Sequence, residues 1–447
     1  MKRTITQFLT QWLGSSDRQP LVLRGARQVG KTWLVRHLAE QSGKRLIELN
    51  LEKRPEYAAL FASNDVQQIL LNLSTVAGHT IDAEASLLFL DEIQAAPDLF
   101  AKLRWFAEDL PTLPVIAAGS LLEFLLAEHS FSMPVGRISY AYLEPLSFEE
   151  FLLASNKEPL YHYLHKYNFE YDISPTIHEQ LMTVFREYLL VGGMPAVVAS
   201  WIKQRSLENV NRIQQNLLSS YRDDFAKYKG GIAMERLDEV MMSVPAMLGQ
   251  KFVYSRVNRD VQSSSVKQAL SLLEKARVCY RVQGCAANGV PLAAELHEKY
   301  FKEIFLDVGL CSAALGIGLQ QLNSISEIIL VNEGGIAEQV AGQLLRTIFP
   351  PYIQPALYCW NRDEPGSSAE VDYVIQHGNK VIPVEVKAGS TGSLKSLHLF
   401  MQAKKSSIAV RINSDYPSKM QQNYVLLSIP FYLAGQIHRL LDFFEAD

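Results

Sequence analysis

Three groups of residues in this chain have the types and spacing that chemistry needs. The first is GARQVGKT, Gly25 to Thr32, in which two glycines bracket four residues and lead into Lys31 and Thr32. Glycines so placed let successive backbone N–H groups turn inward around phosphate, and a following helix adds the positive end of its dipole. Gly25, Ala26, Arg27, Gln28, Val29, Gly30, Lys31 and Thr32 are therefore the expected nucleotide-binding loop. Lys31 is expected on the β/γ-phosphates and the Thr32 hydroxyl on Mg²⁺. The second group is LLFLDE (87–92), an apolar run ending in two carboxylates. Asp91 is placed to hold Mg²⁺ through water, and Glu92 to polarise an attacking water as general base. An acid pair at such a turn also serves as a helix N-cap, which is the ordinary alternative.

The third group lies in AEVDYVIQHGNKVIPVEVKAG, Ala369 to Gly389. Two alternating stretches flank Gly378-Asn379, a glycine-first pair that suits a type II′ hairpin turn. Residues equidistant from that turn face each other, which sets Asp372 against Glu385 and Glu370 against Lys387. Val371, Tyr373, Ile375, Val384 and Val386 are expected on the other, buried face. Like charges across a hairpin repel. A divalent cation held by two converging carboxylates would relieve that repulsion and activate water for attack on a phosphodiester. Lys387 would stabilise the transition state or position the water. The alternative is a charged solvent face with an ordinary Glu370–Lys387 ion pair.

Two further positions are open on spacing. Ser120 ends the apolar run VIAAGS, where it senses a γ-phosphate or caps a following helix in LLEFLLAEH. Arg137, in PVGRISYAYLEP, is a candidate arginine finger, acting in cis or toward a neighbouring subunit.

The elements that must position these groups follow from patterning. From Pro20 to Gly119, short apolar runs (PLVLRG, RLIELNL, SLLFLDE, LPVIAAGS) alternate with helical stretches. That pattern predicts strands buried on both faces in a parallel α/β sheet. After LEPLSFEEFLLAS the chain reads as long helices to about Tyr228, with Pro134, Pro145 and Pro175 punctuating the transition. From Lys251 the order is helix, strand, Gly-containing loop, strand, as in a winged helix. Lys251 to Arg281 carries seven Lys/Arg against two Asp/Glu, either a solvated helix face or a surface for nucleic acid or a partner. A fourth section opens near Ile325.

With 447 residues, 48% apolar and 20% charged, the chain is a multidomain globular protein. A net charge of −4 gives no global pull toward nucleic acid or anionic membrane. Four scattered cysteines and the absence of an apolar run of about 18 residues predict a reduced, cytoplasmic protein without a membrane span.

Taken together, LRGARQVGKTWLV, LLFLDEIQ, AAGSLLEFLL, PVGRISYAYLEPLSFEEFL and GGMPAVV (192–198) resemble a prokaryotic AAA+-type ATPase family. Its members carry a C-terminal domain of uncharacterised function, and KFVYSRV, ALSLLEKARVCYRV and KYFKEIFLDVGLCSAALG are similar to that region. The resemblance implies an α/β P-loop AAA+ core over 1–145 and a helical lid or linker over 146–228. It implies a winged-helix-like domain over 229–320 and a restriction-endonuclease-like α/β domain over 321–447. The terminal hairpin resembles the PD-(D/E)xK nuclease core, with Asp372, Glu385 and Lys387 as its residues. Glu338 in GGIAEQVAGQLL is the acid on the preceding helix, and Val371 stands where that motif has proline. The implied cofactors are ATP and Mg²⁺, with a second Mg²⁺ or Mn²⁺ at Glu338, Asp372 and Glu385. The implied partners are nucleic acid, DNA before RNA, and further copies of the chain where Arg137 acts in trans. Two functions fit: an ATPase that drives a nucleic-acid-processing nuclease domain, and a nucleotide-controlled switch whose nuclease-like domain binds and does not cut.

Overall fold

A computed structural model describes residues 1–120, 122, 134–227, 232–316, 334–364, 367–388, 394–421 and 423–445. The helix expected after Ser120 and the start of the fourth section near Ile325 fall outside these residues.

The first sheet is parallel throughout, with order β2-β3-β4-β1-β5. Its strands are β1 (Leu21–Arg24), β2 (Arg45–Asn50), β3 (Ser86–Asp91), β4 (Val115–Ala118) and β5 (Ser139–Tyr142). Four of these are the apolar runs read from the sequence. β5, SYAY, is short and carries no such run. Leu21, Leu23, Leu87 and Phe89 enter one core, and Val22, Leu88 and Leu90 enter another on the opposite face. That double burial explains why these strands read as continuous apolar runs.

The helices Phe148–Ala154, Glu158–Lys166, Pro175–Val191, Pro195–Gln204 and Leu207–Asp223 form the helical region expected after the sheet. Proline at the first turn of three of them loses no hydrogen bond there. A capping box of Ser147 and Glu150 starts the first.

The second sheet has eight strands in the order β12-β13-β11-β10-β9-β8-β6-β7. It comprises β6 (Cys279–Cys285), β7 (Leu296–Phe305), β8 (Leu357–Glu364), β9 (Ser367–His377), β10 (Lys380–Val386), β11 (Ile408–Asn413), β12 (Ser418–Gln421) and β13 (Val425–Pro430). The helix Ser263–Lys275 followed by antiparallel β6 and β7 does give the expected helix–strand–strand order. However, β6 also pairs in parallel with β8, Val282 opposite Leu357, so one sheet runs across the boundary expected at 320/321. These strands are far apart in the chain, and no local pattern announces that pairing.

A chain of buried polar contacts ties the regions together. Tyr188 donates to the Leu146 carbonyl at 2.8 Å and accepts from Gln343 at 3.0 Å. Gln343 also donates to Asp307, whose carboxylate accepts from the Gly193 amide at 2.6 Å. A side chain at Gly192, which has φ +75°, would collide with that carboxylate. This accounts for the paired glycines of GGMPAVV.

Candidate functional site

The phosphate loop joins β1 to the helix Lys31–Ser42, with Gln28 at φ +65° and Gly30 at φ +98°. A Cβ at Gly25 would strike the Leu143 carbonyl oxygen, so only glycine lets the loop pass there. Lys31 is buried, and its Nζ donates to the Gly25 and Ala26 carbonyls at 2.8 Å each. Burial pushes its pKa down to about 8; Glu92 and Asp91 work against that, while Arg277 and Arg27 add to it. Loop and ammonium thus form a cradle in which the cation rests on weak carbonyl acceptors, fitting a phosphate that would give it a stronger partner.

Buried Asp91, at the end of β3, accepts from the Thr32 hydroxyl and from Asn50 Nδ2 at 3.2 Å each. Burial, with Glu92 beside it, raises the Asp91 pKa. Thr32 and Asp91 therefore form an oxygen pair at the mouth of the loop, the donor chemistry Mg²⁺ takes. Glu92 holds the left-handed conformation (φ +51°), uncommon for a residue with a side chain. Gln94 Nε2 donates to its Oε2 at 2.5 Å, and Ser120 donates through both its amide and its hydroxyl at 3.3 Å. Ser120 thus meets the carboxylate at the end of β3.

Arg137 is not brought to this group. It lies half-exposed on the surface, paired with Glu108 at 2.7 Å. The residues that sequence reasoning missed come from distant segments. Arg27 is ion-paired with Asp224, and the Tyr221 hydroxyl donates to the Arg27 carbonyl at 2.7 Å. Arg3 donates to the Val29 carbonyl at 3.0 Å and to Glu150 at 3.0 Å. Arg277 is buried at φ +60° with its guanidinium over the Tyr142 ring, and its charge is felt by Lys31 and Glu144. A pocket of about 370 Å³ opens beside Gly30, walled by Met1, Trp33, Leu146, Pro195 and Ala199.

The C-terminal hairpin has the expected register, with His377 opposite Lys380 and Tyr373 opposite Val384. Gly378 has φ +56°, as the first position of a type II′ turn needs. Two features differ from expectation. An irregularity between β8 and β9 shifts the pairing from Tyr358–Val374 to Trp360–Val371. Val371 therefore packs with Val374, away from Tyr373, Ile375, Val384 and Val386. The charged face is also not wet: Glu385 is buried and Asp372 largely so, with Lys387 and Lys302 against their carboxylates.

Asp372 accepts from the Val386 amide at 2.8 Å, and Lys387 Nζ donates to Glu385 at 2.7 Å. Burial and the Asp372 charge push the Glu385 pKa up to about 8. Glu338, on the helix Gly335–Arg346, is raised to about 7 by the same two causes. The cation at their centre is Lys302 of β7, 2% exposed, 2.7 Å from both Glu338 and Glu370 and 3.7 Å from Asp372. Burial opposes its charge, yet the three carboxylates hold its pKa well above the ordinary value. Tyr300 donates to Glu370 at 2.5 Å. Among the described residues no group of three or more His, Cys, Asp or Glu is arranged to hold a metal. The expected set of Glu338, Asp372 and Glu385 does not fit a divalent ion as arranged, because the Lys302 ammonium already stands against two of its members.

The basic stretch borders a groove of about 790 Å³ lined by Lys251, Lys267, Lys299, Tyr254, Arg281 and Phe301, among others. Lys251 lies over the Tyr300 ring at 5.4 Å and Arg281 over Phe301 at 4.0 Å. Among the described residues no helix is long and apolar enough to cross a membrane.

Residues 17–152 match the family described as AAA domain. Residues 182–321 and 333–432 match two domains of unknown function, DUF8612 and DUF4143. No curated protein matches in sequence. Among solved structures, the Walker-type ATPase PABY2304 of Pyrococcus abyssi is 14% identical with a TM-score of 0.43, covering 69% of this chain and 94% of its own. The Aeropyrum pernix ORC2 protein (ADPNP–ADP complexes) is 11% identical with a TM-score of 0.33, covering 70% and 91%. The Aeropyrum pernix ORC1 protein in complex with DNA is 12% identical with a TM-score of 0.28, covering 70% and 90%. The family match and the loop geometry make the N-terminal region an AAA-type P-loop ATPase core that takes ATP.

Proposed function

We propose that this chain is a nucleotide-controlled machine in which ATP hydrolysis at the P-loop governs a nuclease-like C-terminal domain acting on nucleic acid, DNA before RNA. The observation that carries the reading is the wiring of the loop itself. Arg27 is gripped by Tyr221 and Asp224 of the helical region, and Arg277, just before β6, acts on Lys31. Phosphate arriving at Lys31 changes the partner of a buried cation that Arg277 already influences, which gives nucleotide state a route into the second sheet.

In this reading Thr32 and Asp91 hold Mg²⁺, which supplies charge neutralisation at the β/γ-phosphates when bound. Lys31 leaves the Gly25 and Ala26 carbonyls for phosphate oxygens. Glu92, oriented by Gln94 and Ser120, takes a proton from the attacking water. The pocket beside Gly30 receives the base. Arg137 would act only on a neighbouring copy of the chain. The groove of Lys251, Lys267 and Lys299 with Tyr254 and Phe301 supports the nucleic-acid half, since a cationic, aromatic-lined groove suits backbone phosphates and stacked bases.

Lys302 favours the non-cutting version of this reading, a switch whose terminal domain binds and does not cleave. The test incubates the protein with single- and double-stranded DNA and RNA, Mg²⁺ or Mn²⁺, with and without ATP. Cleavage that disappears in Asp372→Ala and Glu385→Ala establishes the nuclease. Salt-sensitive binding without cleavage establishes the switch. On the ATPase side, Lys31→Ala abolishes nucleotide binding, while Glu92→Gln binds ATP and hydrolyses it about 10²–10⁴-fold more slowly. Turnover of Glu92→Gln at the wild-type rate removes Glu92 from the base role.

A further inference from the structure

We infer that Lys302 is the resident cation of the C-terminal carboxylate cluster and that it keeps divalent metal out of Glu338, Glu370 and Asp372. The inference deepens the C-terminal half of the proposed function, and rests on it only for the identity of the carboxylates. It begins with position. Lys302 comes from β7, the edge strand of the eight-stranded sheet, yet its side chain is among the largest fully buried ones in the chain. A lysine stem that long is ordinarily buried with its head in water. Here the head is inside, 2.7 Å from one oxygen each of Glu338 and Glu370 and 3.7 Å from Asp372.

The surroundings hold it there. Tyr300, two residues earlier on the same strand, donates to the other oxygen of Glu370. The Tyr373 hydroxyl donates to the Glu338 carbonyl at 2.7 Å and fixes the helix that carries Glu338. The second oxygen of Asp372 is taken by the Val386 amide. Glu385 lies outside this set: one oxygen is paired with Lys387, while the other is buried without a hydrogen-bond partner. The oxygens a metal would need on Glu338 and Asp372 therefore already face one fixed positive charge. Compared with an uncharged side chain at position 302, that ammonium about 4 Å away weakens divalent-ion binding about thirtyfold at the dielectric of water.

The neutral, nearly isosteric Lys302→Met variant is the direct test, with Mn²⁺ as the probe on the full chain without nucleotide. Free Mn²⁺ is followed by electron paramagnetic resonance, and thermal stability is followed in parallel. The expected result is one additional Mn²⁺ per chain in Lys302→Met, at least about thirtyfold tighter than wild type at this cluster. The gain should vanish in Lys302→Met/Asp372→Asn and be absent in Lys302→Arg, which keeps the charge. Three unpaired carboxylates will weaken Lys302→Met, so Mn²⁺ should raise its melting temperature by more than it raises that of wild type, the excess vanishing in Lys302→Met/Asp372→Asn. The inference is overturned if folded Lys302→Met gains no Mn²⁺. It is equally overturned if wild type binds an Mn²⁺ that Asp372→Asn removes, a comparison that needs no Lys302 variant. A negative cleavage assay leaves these outcomes intact, so the two failures are told apart.

Discussion

Arg346 and Glu144 are the pair on which the docking of the second sheet against the ATPase core can be weighed. Arg346 ends the helix that carries Glu338, and Glu144 follows β5. The guanidinium meets the carboxylate through two nitrogens, at 2.7 and 3.1 Å, with the side chains 5% and 11% exposed. Arg346 also lies 3.4 Å over the Tyr280 ring and donates to the Pro355 carbonyl. Burial works against the Glu144 charge, but Arg346 holds its pKa below the usual carboxylate range. Arg346→Met removes the nearest cation and leaves that carboxylate buried with only the Arg277 charge and the Tyr280 hydroxyl to offset it. Losing one partner of such a pair costs about 3–5 kcal/mol. At about 2–4 °C per kcal/mol this lowers the melting temperature by roughly 6–20 °C. Glu144→Leu should cost about as much, by stranding the guanidinium instead. The double variant should recover most of the loss, since a buried ion pair replaced by apolar side chains is often neutral. Urea unfolding followed by tryptophan fluorescence gives all four corners of the cycle. Strictly additive losses, or a single-variant cost below about 1 kcal/mol, would refute the reasoning.

A Cβ at Gly119 would collide with the Gln94 carboxamide, so Gly119→Ala should displace Gln94 from Glu92. ATP turnover should fall by roughly tenfold, the worth of one charge-assisted hydrogen bond, with little change in ATP affinity. An unchanged turnover number rejects the orienting role of Gln94. In the groove, Lys251→Ala and Lys299→Ala should each lower the slope of log K against log salt for DNA by about one, equally for all sequences. Unchanged slopes move the DNA surface elsewhere. Glu303 is buried 3.4 Å from Arg281, and burial with the nearby Glu274 charge raises its pKa well above the ordinary value. The native state therefore keeps a proton there that the unfolded chain loses above about pH 4.5, so stability falls as pH rises beyond that point. Glu303→Gln should remove this slope, visible as a melting temperature that no longer declines as pH rises above about 4.5.

How much was legible depended on how locally each feature is encoded. The phosphate loop reads directly, because its chemistry is backbone chemistry at consecutive positions. The hairpin register was legible too, because a two-residue turn fixes all later pairings. The bulge at Val371 was not, because it arises from β8, whose pairing the hairpin does not specify. The charged face looked solvated because alternation distinguishes two faces without saying what covers each. Lys302 lies 36 positions from Glu338, and Tyr221 and Asp224 lie 194 and 197 positions from Arg27. Arg277 is further still from Lys31, whose charge it opposes. No spacing rule links such positions; only the folded chain brings them together.

The parallel pairing of β6 with β8 has a practical consequence for dissecting the molecule. A cut between residues 316 and 334, where sequence families divide the chain, severs the polypeptide without severing the sheet. The two fragments should co-elute under native conditions and separate only in denaturant. If expressed apart, each would present a bare strand edge, a template for aggregation. A piece running from the helix at Ser263 to the end of the chain keeps the second sheet whole, so Arg277 and Lys302 travel with Asp372.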